Sequence, residues 1–470
     1  MSKLQLINHK GWNFNLLSFS LTYLFCTFRE KHSVMIQKIL GDLKIASLNK
    51  MQLAAIKAAK TAEGIVLLSP TGSGKTLAFL LPVLSQLSSA IREVQVMILV
   101  PSRELALQIE QVFRQMNTGF KVNCFYGGHA TKTEKNNLEH PPAVLVGTPG
   151  RIAYHLRHEN FETGRIQILI LDEFDKSLEY GFQADMSFII GQLRRIRQRI
   201  LTSATSMAEI PSFTGITNPV VLDFLNTNSP TTDGLRIKFL QSTDADKLQI
   251  LFALICKLQN RPALVFCNHR EAVDRVSALL SEKGLAHGLF HGGMEQDDRE
   301  RALIKFRNGS HRLLITTDLA SRGLDIPEIE AVIHYQLPGT QDIFTHRNGR
   351  TARMNTTGTA YLLLTATDHL PQFIIEKPEV ELLPEKITLP VKSPWRTLFI
   401  AAGKKEKINK MDIVGMLLQK GKLAKEELGL VEVLDHTAYA AIRSNRIDAV
   451  VRLIKNEKIK NKKVRIEISA

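Results

Sequence analysis

The chain has 470 residues, 44% of them hydrophobic and 23% charged, enough apolar side chains for several cores, which excludes global disorder; at roughly 150 residues per domain there is room for about three domains. Its 61 Lys and Arg against 46 Asp and Glu leave a formal charge of +15, which favours a polyanionic partner over an acidic-substrate or neutral-ligand reading. Cys26, Cys124, Cys256 and Cys267 form no C-x-x-C pair, so neither a zinc site nor a disulfide framework is indicated, as suits a reducing cytosol.

Leu16 to Phe28 is a short hydrophobic stretch preceded by Lys3 and Lys10, the outline of a signal peptide. It lacks an A-x-A-like cleavage site and is too short and too polar, with Ser18, Ser20 and Thr22, to span a bilayer. Residues 1–34 therefore read as a poorly ordered extension, with the functional chain starting near Met35 and no membrane association expected.

The apolar run Ile65-Val-Leu-Leu68 leads into Ser69-Pro-Thr-Gly-Ser-Gly-Lys-Thr76, and a helical pattern with Leu77, Phe79 and Leu80 follows. A strand, a Gly-rich loop and a helix in that order bind nucleoside triphosphate: Gly72 and Gly74 let successive N–H groups turn inward onto phosphate oxygens. Thr71, Gly72, Ser73 and Gly74 would form the cradle, Lys75 would reach the β- and γ-phosphates, and the Thr76 hydroxyl would hold Mg²⁺. Ser69 stands where the formal pattern has Gly.

Further strands are expected at Val96 to Val100, Ala143 to Gly147, Ile166 to Leu171, Ile200 to Ser203 and Val220 to Phe224, with helical patterns between them. That alternation predicts a parallel sheet wrapped by helices. Asn226 to Gly234 is polar and turn-rich, and reads as a linker. A second series, Ile237 to Leu240, Ala263 to Cys267, Leu313 to Thr317, Val332 to Tyr335 and Thr359 to Leu364, predicts a second α/β domain without a phosphate loop. Five prolines between Pro371 and Pro394 suit a spacer. The expected boundaries are 35–228, 229–370, 371–394 for the linker and 395–470 for a small third module.

Leu169-Ile-Leu171 runs into Asp172-Glu-Phe-Asp175, placing carboxylates at the end of a strand, where open α/β sheets keep their ligand crevice. Asp172 would hold Mg²⁺, and Glu173 would orient and deprotonate the water that attacks the γ-phosphate.

With these two constellations in place the chain resembles the DEAD-box branch of the superfamily 2 RNA helicases over residues 44 to 365. The resemblance rests on several short motifs in order. Gln52 lies where the family reads adenine. Pro101-Ser-Arg-Glu-Leu-Ala106, Gly127-Gly128 and Thr148-Pro-Gly-Arg151 are similar to the first domain's RNA contacts, and Ser203-Ala-Thr205 to the motif coupling hydrolysis to strand separation. Val265-Phe-Cys-Asn-His-Arg270, Gln296-Asp-Asp-Arg299, Thr317-Asp-Leu-Ala-Ser-Arg-Gly-Leu-Asp325 and His346-Arg-Asn-Gly-Arg-Thr-Ala-Arg353 fill the second domain's slots. The resemblance implies two RecA-like domains, ATP and Mg²⁺ as cofactors, Asp325 among the nucleotide contacts, and Arg350 and Arg353 as arginines stabilising charge on the transferred phosphoryl group. It also implies RNA contacts from Arg103, Gly128, Thr148, Arg151, Arg270, Thr317 and Arg322, made to phosphates with little sequence reading. Departures are Phe174, Ser102 and Ala352 where the family usually has Ala, Thr and Gly, and the absence of a Pro-Thr pair from Leu48-Asn-Lys-Met-Gln52.

In the tail, strands at Thr397 to Ile400, Gly429 to Leu434, Thr437 to Ile442 and Lys463 to Ile468, with helices at Asn409 to Leu418 and Ile447 to Ile454, give a βαββαβ order, the RNA-recognition-motif topology. From residue 391 there are 18 Lys and Arg against 9 Asp and Glu, so most of the chain's positive excess lies here. The segment is similar to the C-terminal RNA-binding domain of DbpA helicases, which implies RNA contacts from Lys404, Lys405, Lys462 and Lys463. Phe399 and Tyr439 are either base-stacking or core residues.

The fold expected is thus α/β, with two tandem RecA-like domains and a small α+β module. The function expected is that of a monomeric, cytoplasmic ATP-dependent RNA helicase remodelling structured ribosomal RNA during large-subunit assembly. A general RNA chaperone, a messenger-decay helicase and an ATP-gated RNA clamp are the alternatives.

Overall fold

A computed structural model of the chain describes residues 34–469 apart from 71, 129–130, 208, 226–233, 245, 322–325, 327–328, 352–356 and 375–377. It divides into two units, and the chain passes from the first to the second between Phe224 and Leu225. Residues 1–33 and nearly all of the expected 226–234 linker fall outside the described residues.

The first unit is a seven-stranded parallel sheet in the order β3-β4-β2-β5-β6-β1-β7. Its strands are β1 (Gly64–Leu68), β2 (Val96–Leu99), β3 (Val122–Phe125), β4 (Val144–Gly147), β5 (Ile168–Leu171), β6 (Gln198–Ser203) and β7 (Val220–Asp223). β1, β2, β4 and β5 are buried along their whole length. Their unbroken Val, Ile and Leu runs are what a sheet covered on both faces requires. Helix Arg103–Gln115 is typical of the covering layer: Ser102 accepts a cap hydrogen bond from the Leu105 N–H at 3.2 Å, and Leu105, Ala106, Ile109 and Phe113 face the core.

The second unit opens with another seven-stranded parallel sheet, β10-β11-β9-β12-β13-β8-β14. It comprises β8 (Leu235–Gln241), β9 (Ala263–Phe266), β10 (Gly288–Phe290), β11 (Leu313–Thr316), β12 (Ala331–His334), β13 (Gly358–Leu364) and β14 (Glu379–Val380). Part of the proline-containing stretch 371–394 joins the sheet, which its composition does not suggest. It contributes β14, parallel to β8, and Glu381 accepts from Lys238 at 2.7 Å and from Lys257. No helix among the described residues is long and apolar enough to cross a membrane.

The tail forms a four-stranded antiparallel sheet, β16-β17-β15-β20, from β15 (Trp395–Ile400), β16 (Leu428–Val433), β17 (Ala438–Arg443) and β20 (Ile466–Ile468). The expected strand from Lys463 is corrected: β18 (Lys458–Ile459) and β19 (Lys462–Lys463) form a separate hairpin, and the sheet strand starts at Ile466. The hairpin's two central residues, Lys460 and Asn461, both have positive φ, 46° and 65°, the twist that two-residue hairpins need. Leu398, Ile400, Ala438, Ala440 and Ile442 pack with Ile413, Leu417, Val450 and Ile454 of the helices. The period of two therefore turns Trp395, Thr397, Phe399, Tyr439 and Arg443 to the opposite face.

That opposite face lies on the second parallel-sheet domain. Arg307 donates to both Glu432 carboxylate oxygens at 3.1 and 2.7 Å. Asn308 donates to the Thr397 hydroxyl at 2.9 Å, with the Ser310 hydroxyl 2.8 Å from the same oxygen, and Ser393 donates to the Gly309 carbonyl at 2.6 Å.

Candidate nucleotide and RNA sites

In the first unit the motifs fall at the carboxyl ends of the parallel strands and divide along the sheet. β1, β5 and β6 carry the phosphate loop, the acidic tetrapeptide and Ser203-Ala-Thr205, while β2, β3 and β4 carry Arg103, Gly128, Thr148 and Arg151. Strand order thus separates the residues expected to handle nucleotide from those expected to contact RNA.

Gly72 and Gly74 both adopt positive φ, 82° and 89°. At Gly74 a Cβ would also lie 2.6 Å from Gln52 Nε2, so a side chain there would strain the backbone and push the Gln52 amide from its place. Gln52 and Asn49 form a reciprocal capping box, each accepting from the other's backbone N–H at 2.9 Å, and Gln52 Nε2 donates to the Gly74 carbonyl at 3.2 Å. The residue expected to read adenine is therefore held against the phosphate loop. Lys75 and Thr76 open helix Lys75–Leu84. The Lys75 ammonium is buried and donates to the Ser69 carbonyl at 2.6 Å, a contact that keeps the charge beside the loop. Ser73 and Thr76 are half-buried and Gly72 is exposed. Thr71 lies outside the described residues.

Asp172 is 3% exposed. Burial raises its pKa, against the Thr202 hydrogen bond, the Lys75 charge and the Glu173 N–H, which favour the anion. Lys75 and Asp172 are thus close enough to act on one another. Glu173 sits at φ 46°, ψ 50°, a left-handed conformation costing a non-glycine residue about 1–3 kcal/mol. It is held there because its N–H meets Asp172 Oδ1 at 3.1 Å and its carbonyl accepts from Lys176 and Ser177. Phe174 is fully buried against Phe213, ring centroids 6.1 Å apart, so the bulk in the third position is absorbed away from the carboxylates. Thr205 donates to Asp175 at 3.2 Å and its N–H meets Ser203 Oγ at 3.1 Å, tying the end of β6 to the acidic tetrapeptide. One buried carboxylate, Asp172, and one hydroxyl, Thr76, are a donor set suited to Mg²⁺, which binds through one or two carboxylates and completes its shell with phosphate and water.

Among the residues expected to contact RNA, Arg103 lies over the Tyr126 ring at 4.4 Å and beside Gly128, whose φ is 90°. Thr148 stands at the N-cap position of helix Pro149–Arg157 without a side-chain cap hydrogen bond, and the helix carries Arg151 in its first turn. The reading from sequence missed what orients Arg151. Glu134, 4% exposed on helix Thr131–Leu138, accepts from Arg151 Nε at 2.6 Å and lies 2.8 Å from Nε2 of the fully buried His155. That helix, Thr-Lys-Thr-Glu-Lys-Asn-Asn-Leu, has no apolar stripe, so nothing in its pattern marked Glu134 as buried.

In the second unit Arg270 begins helix Arg270–Glu282 after β9, with Nε 2.7 Å from Glu271, and Thr317 follows β11. Arg350 follows helix Gln341–Asn348 and is 2% exposed. Arg322, Asp325 and Arg353 lie outside the described residues. Arg347, which the motif reading passed over, is fully buried and joins three motifs: it pairs with Asp318 at 2.6 and 3.1 Å and donates to Asn268 Oδ1 at 2.8 Å and the Gln336 carbonyl at 2.9 Å.

In the tail the basic residues converge. Lys404 and Lys405 lie on an exposed turn after Gly403, whose place beside the Leu434 carbonyl leaves no room for a Cβ. Lys462 donates to the Glu406 carbonyl at 3.2 Å and Lys460 to the Lys407 carbonyl at 2.9 Å, bringing the β18–β19 hairpin, with Lys463, against that turn. Of the two readings open for the strand aromatics, burial prevails for Tyr439, which is 3% exposed and hydrogen-bonded to Arg301 of the neighbouring domain. Phe399 stands beside it, ring centroids 5.5 Å apart.

Residues 49–212 match the DEAD/DEAH box helicase family, residues 246–355 the helicase conserved C-terminal domain and residues 397–468 the DbpA RNA binding domain. The ATP-dependent RNA helicase DbpA of Escherichia coli (strain K12) is 30% identical over 444 residues, covering 91% of this chain and 96% of that protein. The chain is a DEAD-box ATP-dependent RNA helicase of the DbpA type. Bacillus subtilis (strain 168) DbpA is 27% identical over 474 residues, covering 94% and 98% of the two chains. Among solved structures, S. cerevisiae Dbp5 bound to RNA and ADP BeF3 matches this DEAD-box helicase with a TM-score of 0.63 at 25% identity, over 71% of this chain and 88% of that one.

Proposed function

We propose that this helicase acts as a cytoplasmic monomer on structured ribosomal RNA during assembly of the large ribosomal subunit, its tail holding an RNA hairpin while the two RecA-like domains separate nearby strands. The observation that carries this reading is the convergence of Lys404, Lys405, Lys462 and Lys463 on one edge of a domain matching the DbpA RNA binding domain. Clustered lysines of this kind hold phosphate. In the ATP site, Lys75 would bind the β- and γ-phosphates, Glu173 would take the proton of the attacking water, and Arg350 with Arg353 would meet charge developing on the γ-phosphoryl group. Thr76 and Asp172 would hold Mg²⁺, which when bound neutralises phosphate charge. RNA would be gripped through Arg103, Gly128, Thr148, Arg151, Arg270, Thr317 and Arg322, and Gln52 and Asp325 would contact the nucleoside.

The test is ATPase stimulation of the full chain by a large-subunit ribosomal hairpin, a scrambled hairpin and a single strand. Half-maximal stimulation at a concentration at least tenfold lower for the ribosomal hairpin is expected. Equal concentrations for all three would move the assignment to a general RNA chaperone.

A further inference from the structure

The tail does not close completely on the second RecA-like domain. A cleft of about 810 Å³ remains between them, bounded by the start of β9, the start of β11, the linker residues Leu389 to Ser393 and the first residues of β15. Its volume is that of a ligand site, roughly 300–1,000 Å³. It lies at the amino ends of β9 and β11, whereas Arg270 and Thr317 follow their carboxyl ends. The cleft is thus a strand's length from the helicase motifs and belongs to neither the ATP site nor the motif-borne RNA contacts.

Its chemistry is one-sided. Arg261, Lys305, Arg312, Lys392 and Arg396 line it, and no Asp or Glu does. Glu330 approaches Arg261 at 3.7 Å and Asp448 pairs with Arg396 at 3.0 Å. Arg312 and Lys392 have no carboxylate partner among the described residues, and Arg312 Nε is buried without a hydrogen-bond partner. The cations come from a sheet domain, a linker and a tail strand, so three elements present positive charge to one cleft. Several cations lining a cleft of about 810 Å³ suit successive phosphates better than one compact anion. Trp395 also lines the cleft. It shares the sheet face of Phe399 and Tyr439, and unlike the buried Tyr439 it remains half-exposed.

We infer that this cleft binds the phosphodiester backbone of RNA extending from the hairpin that the tail holds. The inference rests on that proposed role of the tail. Arg312 and Lys392 are the phosphate contacts, and Arg261 and Arg396 add field from the rim. The cleft then gives the enzyme a second hold on its RNA, fixed to the same domain as Arg270 and Thr317.

The experiment measures binding of the full chain to a hairpin with and without a ten-nucleotide single-stranded extension across a salt series. In the wild type the extension should steepen the fall of log K with log salt by about 1.4, since each single-strand phosphate contact contributes about 0.7. R312E/K392E and the milder R312Q/K392Q should lose that increment while keeping the affinity for the blunt hairpin and the ATPase rate stimulated by a short single strand. An increment of the same size in the wild type and both variants overturns the inference. So does polyglutamate that binds the wild type and not the variants while the increment persists, since the cleft would then take an acidic protein segment. Lack of preference between ribosomal and scrambled hairpins overturns the ribosomal reading alone, because the increment is read on any hairpin that binds.

Discussion

Lys75 and Glu173 are both buried, but they are held by different means, and that difference predicts different failures. Lys75 rests on a loop carbonyl, so Lys75→Ala removes a phosphate ligand and should abolish both turnover and tight ATP binding. Glu173 is locked in a left-handed conformation by backbone contacts that a glutamine would keep. Glu173→Gln should therefore retain ATP binding, measured with a fluorescent analogue, and lose turnover by about 10²-fold or more, the scale of a general base. A glutamine variant that hydrolyses ATP near the wild-type rate would remove Glu173 from the mechanism. Glu134 acts one step further back, on the orientation of Arg151. Glu134→Ala should raise the RNA concentration for half-maximal ATPase roughly tenfold, about 1.4 kcal/mol and within the range for a hydrogen bond to a charged group. The saturated rate should stay unchanged and Glu134→Gln should recover part of the loss. A fall in the saturated rate, with the RNA requirement unmoved, would mean that Glu134 only supports the fold.

At the level of elements, the interior strands of the two parallel sheets were legible because a strand covered on both faces carries a continuous apolar run, and the exposed edge strand β7 was legible because Val220-Val-Leu222 happens to make such a run too. The strands of the parallel sheets that it did not reveal, β3, β10 and β14, are all at sheet edges. Val122-Asn-Cys-Phe125 is fully buried only at its two ends and β14 is two exposed residues, so neither produces such a run. The phosphate loop and the acidic tetrapeptide were legible because their chemistry fixes residue type and spacing. The supports, Glu134 and Arg347, were not, since a buried charged residue in a polar helix looks like a solvated one until its partner is placed. His334, at the end of β12, is another such support. Fully buried, 3.0 Å from Asn348 Oδ1 and stacked on Phe344, it has its pKa pushed down to about 3 by burial and then by the Arg347 charge. His311 is likewise pushed to about 3 by burial, then by Lys305 and His287. The unfolded chain binds these protons below about pH 6.5 and the folded chain does not, so stability is full above that pH and falls as pH drops toward 3. Each histidine contributes about 1.4 kcal/mol per pH unit in that window. Urea denaturation should show a midpoint that declines from pH 7 to 5, and less steeply in His334→Gln. Identical pH dependence in the two proteins would show that His334 takes up its proton while folded.

Across the second unit as a whole, the linker reads as a spacer by composition but is stitched to the sheet by β14 and Glu381, and the tail is held by Arg307 on Glu432. The tail's open sheet face is thereby committed to protein contact, and the RNA contacts proposed above fall on the lysine edge and the cleft instead. A hairpin gripped by the tail would then stand at a set distance from the motifs on the second RecA-like domain, so strand separation should depend on the docking as well as on each part's own affinity. Arg307 and Glu432 are both about one-fifth exposed, and a bidentate pair in that setting should couple by about 1 kcal/mol or more in a double-mutant cycle. Arg307→Glu places two carboxylates together and should loosen the tail without touching the ATP site or the lysine edge. Hairpin affinity and RNA-saturated ATPase should stay within twofold of wild type. Unwinding of a duplex set a fixed number of nucleotides from the hairpin should fall several-fold, and lengthening that spacing should matter less than in the wild type. The swapped pair, Arg307→Glu with Glu432→Arg, should recover the wild-type unwinding rate and its dependence on spacing. If Arg307→Glu unwinds at the wild-type rate for every spacing, the docked face sets no distance and the tail acts only as a tether.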